Sequence, residues 1–278
     1  MIAPDVTAFL RRLGLPDAEP PSAAALTRLH RAFAERVPYE TVEIQLGRPT
    51  SIDPRDSVAR VLAGRGGYCF HLNGAFAELL HALGYHVTRH AGGAQMKRED
   101  EPALNRNHLA LTVRDLPDSD DVWLVDVGLG DGLHAPLPLR EGTHRQGPFA
   151  FGLRPSVVAP GGWRLEHDPR GSFFAMDFAP AAVGLDHFAD RHAHLSTSPE
   201  SGFVRAFCAE RTDAEGWDVL RALTLSRIGE TTAKTLVDDR GDWFAALADV
   251  FGLVVADEDR EPLWRKVVSQ HEARQTAT

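Results

Sequence analysis

The residue most suited to chemistry in this 278-residue chain is a cysteine that follows two glycines and opens an apolar helical run. Gly66 and Gly67 interrupt the preceding pattern, and Phe70 to Leu83 has apolar residues at helical spacing. Cys69 is therefore expected at a helix N-terminus, where unpaired N–H groups and the helix dipole favour a thiolate. This arrangement is typical of a nucleophile. A second interpretation also fits, because free cysteines often serve as small buried apolar residues.

A catalytic cysteine needs a base within reach and a residue that orients the base. His108 starts one strand-like apolar run, and Asp126 ends another. Polar side chains in segments suited to burial are costly unless they are paired. If adjacent strands bring these two together, the carboxylate accepts from one imidazole nitrogen while the other faces Cys69. A purely structural Asp–His hydrogen bond is the alternative.

Helical spacing dominates from residue 5 to about residue 90, which places the cysteine in a helical region. Four amphipathic runs are predicted, over residues 6–13, 25–33, 56–62 and 70–83. Pro38 interrupts the pattern because proline cannot continue a helix, and Val42 to Leu46 alternates like a short strand.

The remainder of the chain changes first to a strand pattern and then to a mixed one. Short apolar runs between Tyr85 and Phe178, separated by polar loops, predict a largely antiparallel sheet or a small barrel. Strands are next predicted at Val204 to Ala209 and at Leu223 to Arg227. An amphipathic helix ending at Gly252 follows, and a last helix, residues 262–268, leads to a polar tail, residues 270–278, that we expect to be frayed.

Bulk properties narrow the class of protein. With 43% hydrophobic and 25% charged residues the composition is that of a globular protein, and the length predicts two or three subdomains. There is no apolar run long enough to span a bilayer, and the N-terminus lacks the pattern of a secretion signal, so we expect a cytoplasmic location. A net charge of -9 disfavours nucleic acid and acidic membrane surfaces as partners.

Cysteine and histidine usage excludes two further kinds of site. Two cysteines, Cys69 and Cys208, rule out a disulfide framework, and we expect both thiols to be reduced. The thirteen histidines are scattered without a recognised ligand spacing, so no metal is predicted.

Several motifs taken together resemble the arylamine N-acetyltransferase family. They are RGGYCF at residues 65–70 followed by Asn73, LGY at residues 83–85, HL at residues 108–109 and VDVGLG at residues 125–130. Similar segments occur at VPYE, residues 37–40, and at STSPESGF, residues 196–203. The likeness covers nearly the whole chain. RGGYCF with a correctly ordered His and Asp is a specific signal, whereas each piece alone is weak.

The resemblance implies an α+β fold in three parts. A helical bundle, residues 1–88, would carry Cys69. A central antiparallel β-barrel, residues 89–200, would carry His108 and Asp126, and an α/β lid, residues 201–278, would follow. The core would contain a Cys-His-Asp triad like that of cysteine proteases.

The resemblance also implies a reaction. Cys69 would take an acetyl group from acetyl-CoA as a thioester, with His108 as base and acid and Asp126 orienting the imidazole. An arylamine, arylhydrazine or aminophenol would then attack, in a ping-pong scheme without a metal or prosthetic group. A thioester divides the transfer between two bulky substrates into two steps. The Cys69 N–H is the natural donor to the oxyanion of each step.

Other positions are assigned by analogy with the family. Phe70, Leu129 and Phe203 would contact the substrate, although the two phenylalanines fit equally well as ordinary core aromatics. Gly128 and Gly130 would let a loop approach the cofactor closely.

Two further residues would support the site, and three positions depart from the family pattern. Glu40 and Arg65 would form a buried ion pair that positions the loop before the cysteine. His71 stands where glutamate is common, Thr41 where asparagine is, and Leu129 replaces an aromatic residue. His71 removes a carboxylate that could balance Arg65, and helical geometry directs it away from Cys69, so we do not expect it to replace His108.

Alternative functions remain open at this point. Within the same family, an amide synthase would release a polyketide chain as a macrolactam formed on an internal arylamine. A thiol amidohydrolase or transglutaminase-like enzyme would use the same Cys, His, Asp order on an amide. A ligand-binding relative without activity is a further alternative. Neither the physiological amine, the acyl chain length nor the oligomeric state follows from the sequence.

Overall fold

The computed structural model describes residues 3–276, in which helices and two antiparallel sheets form three parts. The helices are α1 (Ala3–Arg12), α2 (Ala23–Arg36), α3 (Val42–Gln45), α4 (Pro54–Leu62), α5 (Cys69–Ala82), α6 (Ala189–Thr197), α7 (Gly202–Arg205), α8 (Arg240–Phe251) and α9 (Asp257–Thr276). The strands are β1 (Tyr39–Glu40), β2 (His86–Gln95), β3 (His108–Arg114), β4 (Trp123–Val125), β5 (Leu137–Pro138), β6 (Gly142–Gln146), β7 (Phe149–Pro155), β8 (Trp163–Glu166), β9 (Ala175–Ala182), β10 (Cys208–Thr212), β11 (Trp217–Arg221), β12 (Thr224–Ile228) and β13 (Thr232–Leu236). The predicted α+β class is confirmed.

The N-terminal part is built around α5, which begins at Cys69 as the glycine punctuation predicts. Its apolar residues, including Leu72, Phe76 and Leu79, are completely buried. Phe76 packs against Phe33 of α2 with ring centroids 5.0 Å apart. Burying each such side chain stabilises the fold by about 1.5–3 kcal/mol, so α5 is held firmly along its length.

The central part is an eight-stranded antiparallel sheet in the order β5-β4-β3-β2-β9-β8-β7-β6. Its two edge strands, β5 and β6, are separated in sequence only by residues 139–141, so the sheet curls until its edges approach each other. This is the predicted barrel. On one face Leu109 and Leu111 pack in the same core as α5, while Phe151 and Phe178 belong to a second core on the other face.

The C-terminal part is a five-stranded antiparallel sheet in the order β1-β10-β11-β12-β13, covered by α8 and α9. Strand β1 comes from the N-terminal part and pairs with β10, with Tyr39 opposite Glu210. Trp243 anchors α8, because its ring is fully buried and its Nε1 donates to the Ala222 carbonyl at 2.9 Å. The predicted lid is thus present, and it is joined to the N-terminal part by a strand pair.

Two strand predictions are wrong. Val42 to Leu46 forms the helical turn α3 instead, which begins where the Val42 N–H donates to Glu40 Oε2 at 2.6 Å. The segment Val204 to Ala209 is divided between α7 and β10, because the Ser201 hydroxyl caps α7 by accepting the Phe203 N–H. In both places a side chain satisfies the first backbone donors of a helix, which short apolar runs do not reveal.

The last helix is longer than predicted. It starts at Asp257 rather than at residue 262 and continues to Thr276, so the expectation of a frayed tail is wrong for residues 270–276. Gln270 is buried, donates to Gln45 Oε1 at 2.6 Å and accepts the Phe207 N–H at 2.9 Å. These tertiary contacts hold the polar end of α9. The last two residues of that predicted tail lie outside the described residues.

The predicted domain boundaries fall in different kinds of structure. The boundary between residues 88 and 89 lies within β2, and that between residues 200 and 201 lies just before α7. The division into three domains stays a prediction. Across residues 3–276, no helix is both long and apolar enough to cross a membrane.

The loop before α5 leaves no room for a side chain at Gly66, and this generates a prediction. A Cβ at residue 66 would lie 1.8 Å from the Pro38 carbonyl oxygen, which backbone pairing holds in place. Gly66→Ala should therefore lower Tm by roughly 5–10 °C in a circular dichroism melt. Gly202→Ala is the matched control, because nothing lies within 4 Å of its added Cβ. Equal Tm values for the two variants would contradict this packing.

Candidate active site

Cys69 is the first residue of α5, and its side chain lies beside the start of β3. It is 3% exposed, and its Sγ lies 3.6 Å from the Asn107 carbonyl oxygen, to which the thiol can donate. Gly128 packs directly against it, since a Cβ at residue 128 would lie 2.7 Å from Cys69 Cα. The thiol therefore sits where the helical part meets the barrel, beside the residue that precedes His108.

The predicted base and orienting residue are in direct contact. His108 Nε2 lies 2.6 Å from Asp126 Oδ2, and both side chains are buried. The second ring nitrogen, Nδ1, is the one left for Cys69, whose side chain hydrogen-bonds to this imidazole. Burial alone would lower the pKa of His108, but the Asp126 carboxylate and then Cys69 raise it to about 10. The structure thus brings the three residues together, and the raised pKa favours the protonated form of His108.

Asp126 is oriented by Asn73, for which the sequence predicted no role of its own. Asn73 lies one turn after Cys69 on α5, and its Nδ2 donates to Asp126 Oδ1 at 2.7 Å. Its Oδ1 accepts the Val127 N–H at 3.0 Å, and the Gly128 N–H also donates to Asp126 Oδ1 at 3.0 Å. Oδ2 of the carboxylate is therefore left to His108.

A second unpredicted residue, His30 of α2, holds the backbone at Asp126. The Asp126 N–H donates to His30 Nε2 at 3.3 Å, so Nδ1 carries the proton and donates to the His134 carbonyl at 3.1 Å. Burial lowers the pKa of His30 to about 4, which keeps this imidazole neutral. A single histidine within a helical run gives no sequence signal for such a role.

The predicted pair of Glu40 and Arg65 is present, together with a partner that was missed. Arg65 Nη2 lies 3.5 Å from Glu40 Oε1 and 3.2 Å from Glu43 Oε1. The missed partner is Arg60, whose Nη2 lies 3.0 Å from Glu40 Oε1. Arg60 also donates to the Gly66 carbonyl at 3.1 Å. The buried Glu40 carboxylate thereby connects β1 to the loop before Cys69. That this supports catalysis stays a prediction.

Two of the predicted substrate residues lie beside Tyr39. Phe203 is half-buried, with its ring centroid 5.0 Å from that of Tyr68 and 6.1 Å from that of Tyr39. Leu129 is buried and lines a small cavity together with Tyr39. Desolvation and then Cys69 raise the pKa of Tyr39, which shows that this unpredicted aromatic residue is close to the nucleophile.

The third predicted substrate residue, Phe70, packs inside the helical part. Its ring is completely buried, 5.0 Å from the ring of Phe188 and 5.5 Å from that of Tyr68, and it belongs to the core of the helical part. This matches the interpretation as an ordinary core aromatic. Contact with substrate by Phe70, Leu129 and Phe203 stays a prediction.

The two glycines of the predicted cofactor loop face protein atoms. Gly130 has φ +70°, and a Cβ there would lie 1.8 Å from Glu210 Oε2, while Gly128 lies against Cys69 as described above. These close approaches explain why glycine is required at both positions. Their role in binding the cofactor stays a prediction. Within the described part of the chain, no group of three or more His, Cys, Asp or Glu side chains could hold a metal ion.

Two kinds of known protein are related to this chain in sequence. An arylamine N-acetyltransferase of Mycobacterium bovis is 30% identical over 271 residues, which is 92% of this chain and 92% of that protein. A proansamycin X synthase of Amycolatopsis mediterranei is 31% identical over 128 residues, which cover 45% of this chain and 48% of the relative.

Solved structures and a family model lead to the same family. The arylamine N-acetyltransferase of Mycobacterium marinum, solved in complex with CoA, has a TM-score of 0.85 to this chain at 26% identity. The superposition covers 94% of this chain and 98% of that one. A family model described as N-acetyltransferase matches residues 22–260. From these matches and the identity to the Mycobacterium bovis enzyme, this chain belongs to the arylamine N-acetyltransferase family.

Proposed function

We propose that Cys69, His108 and Asp126 carry out the reaction of this enzyme as nucleophile, as base and acid, and as the residue that orients the base. The enzyme is an acyltransferase that uses acetyl-CoA and an arylamine, and its relative from Mycobacterium marinum was solved with CoA bound. The observation that carries the assignment is the 2.6 Å contact between His108 and Asp126, both buried beside Cys69.

In the first half-reaction the Cys69 thiolate, whose proton is held on His108 Nδ1, attacks the carbonyl carbon of acetyl-CoA. The tetrahedral oxyanion needs backbone donors, and the Cys69 N–H is at the first residue of α5, where N–H groups have no intrahelical partner. The C–S bond to CoA then breaks. The departing CoA sulfur takes the proton from the imidazolium, which leaves acetyl-Cys69 and neutral His108.

In the second half-reaction the amine nitrogen attacks the carbonyl carbon of acetyl-Cys69. His108 accepts the amine proton, the C–S bond to Cys69 breaks, and the imidazolium returns its proton to the sulfur. An arylamine is uncharged near neutral pH, so no ammonium has to be desolvated first. Arylhydrazines and aminophenols share this property and complete the proposed acceptor class.

The surroundings of the thiol support a flat, apolar acceptor. Tyr39, Phe203 and Leu129 provide aromatic and aliphatic surface near Cys69. Glu210, Arg211 and Thr212 also line the cavity beside Leu129 and Tyr39, so the support for such a ligand comes from its aromatic and aliphatic side. Nucleic acid and membranes are not part of the proposal.

A cytoplasmic location is part of the proposal because the mechanism needs a reduced thiol. Cys69 and Cys208 are both free and buried, which supports this.

A second candidate function is macrolactam formation, favoured by the similarity to proansamycin X synthase over 45% of the chain. Such a reaction would load an extended acyl chain on Cys69 and release it by attack of its own arylamine.

Acetylation of the thiol is the first prediction from this proposal. Incubation with acetyl-CoA alone should add one acetyl group, seen by intact mass and assigned to Cys69 by peptide mapping, and an arylamine should remove it. Cys69→Ala should give no adduct, while Cys208→Ala should still be acetylated. Absence of both the adduct and CoA release would refute the proposal. Loading from a long arylamine-bearing acyl thioester but not from acetyl-CoA would favour the macrolactam function.

Replacement of the orienting carboxylate gives the second prediction. In Asp126→Asn the amide oxygen can keep the bonds from Asn73 and Gly128, which turns the NH₂ group toward His108 Nε2. Nδ1 then carries the imidazole proton and cannot accept the thiol proton. Single-turnover acetylation should therefore slow by about 10²–10⁴-fold.

A melting curve serves as the control for this variant. The Asp126→Asn variant should keep a Tm close to that of the wild type, because its hydrogen-bonding groups remain paired. An acetylation rate equal to that of the wild type would show that Asp126 does not orient the base.

A further inference from the structure

His71, one of the three residues that depart from the family pattern, closes the first turn of the nucleophile's helix. It is buried, two residues after Cys69, and its Nδ1 accepts the Tyr68 N–H at 3.4 Å. Its Nε2 must then carry the proton and donate to the Thr50 hydroxyl at 2.9 Å. The side chain thus completes a capping box, in which a Glu or Gln ordinarily takes this position.

The surroundings of His71 keep its imidazole uncharged. Arg60 faces it from α4 and His192 from α6, while the Tyr68 hydroxyl is hydrogen-bonded to His192 Nδ1. The Thr50 and Ser51 segment covers the remaining side. Burial, and then Arg60 and His192, lower the pKa of His71 to about 3. At ordinary pH the cap therefore brings no charge to the start of α5.

The charged groups near this turn form ion pairs with one another. Arg60 and Arg65 are positive, Glu40 and Glu43 are negative, and the four side chains lie within 3.5 Å of a partner of opposite sign. A carboxylate at position 71 would face Arg60 and would add one negative charge to the first turn of α5. It would act on the Cys69 sulfur by like-charge repulsion.

We propose that His71 is a positioning residue for the Cys69 nucleophile: it fixes the first turn of α5 as a neutral imidazole and so avoids a carboxylate beside the thiolate. The inference rests on the proposed function only in taking Cys69 as the nucleophile. It does not depend on which acyl donor or acceptor the enzyme uses.

The test is the pH dependence of Cys69 alkylation by iodoacetamide in the wild type, His71→Gln and His71→Glu. Glutamine and glutamate can both accept the Tyr68 N–H, but only glutamate adds a negative charge. His71→Gln should keep the wild-type midpoint, whereas His71→Glu should raise the pH midpoint by about one unit and slow alkylation about tenfold below it. Peptide mapping separates Cys69 from Cys208, whose burial raises its pKa to about 12.

Unchanged midpoints in His71→Glu, or equal shifts in both variants, would overturn the proposal. If His71→Glu does not fold, His71→Ala decides the positioning role: it should react several-fold more slowly than His71→Gln at the same pH. Equal rates for these two variants would show that the cap does not matter. Alkylation needs no acetyl-CoA, so a failure here is distinguishable from failure of the acetyl transfer.

Discussion

The buried contact between His108 Nε2 and Asp126 Oδ2 is the interaction on which the rest of the site depends. A carboxylate and an imidazole without solvent are stable only when their remaining hydrogen-bonding groups are satisfied. Asn73 and the Gly128 N–H occupy the second carboxylate oxygen, and His30 holds the Asp126 backbone. The contact therefore requires α2, α5 and the segment after β4 to be in place together, which explains why the site is formed between the helical part and the barrel.

The position of the Cys69 thiol depends on contacts between the C-terminal sheet and the loop before α5. Strand β1 pairs with β10 of the C-terminal sheet, and the Glu40 N–H donates to the Gly67 carbonyl at 2.9 Å. The Glu40 carboxylate, with Arg60 and Arg65, lies beneath the loop that leads into α5. Two residues of β1, Tyr39 and Glu40, thus connect the C-terminal sheet to the loop before α5.

Sequence patterns predicted the elements that carry the chemistry but not the residues that hold them. Glycines before an apolar helical run placed Cys69 at the start of α5, and strand-like runs placed His108 and Asp126 at strand ends, because periodicity reflects burial. Strand β13 was not predicted, since all five of its residues are exposed and it has no alternation. The roles of His30 and Arg60 depend on partners distant in sequence, so no local pattern could reveal them.

The claim that Asp126 holds His108 as an imidazolium beside Cys69 is tested most directly by a nitrogen-15 NMR titration of the histidine rings. The His108 signal can be assigned by its absence in His108→Gln. Because the neighbouring carboxylate raises the pKa of this imidazole, both ring nitrogens should remain protonated well above pH 6.5 in the wild type. A His108 ring that loses its proton at or below pH 6.5 would contradict the account.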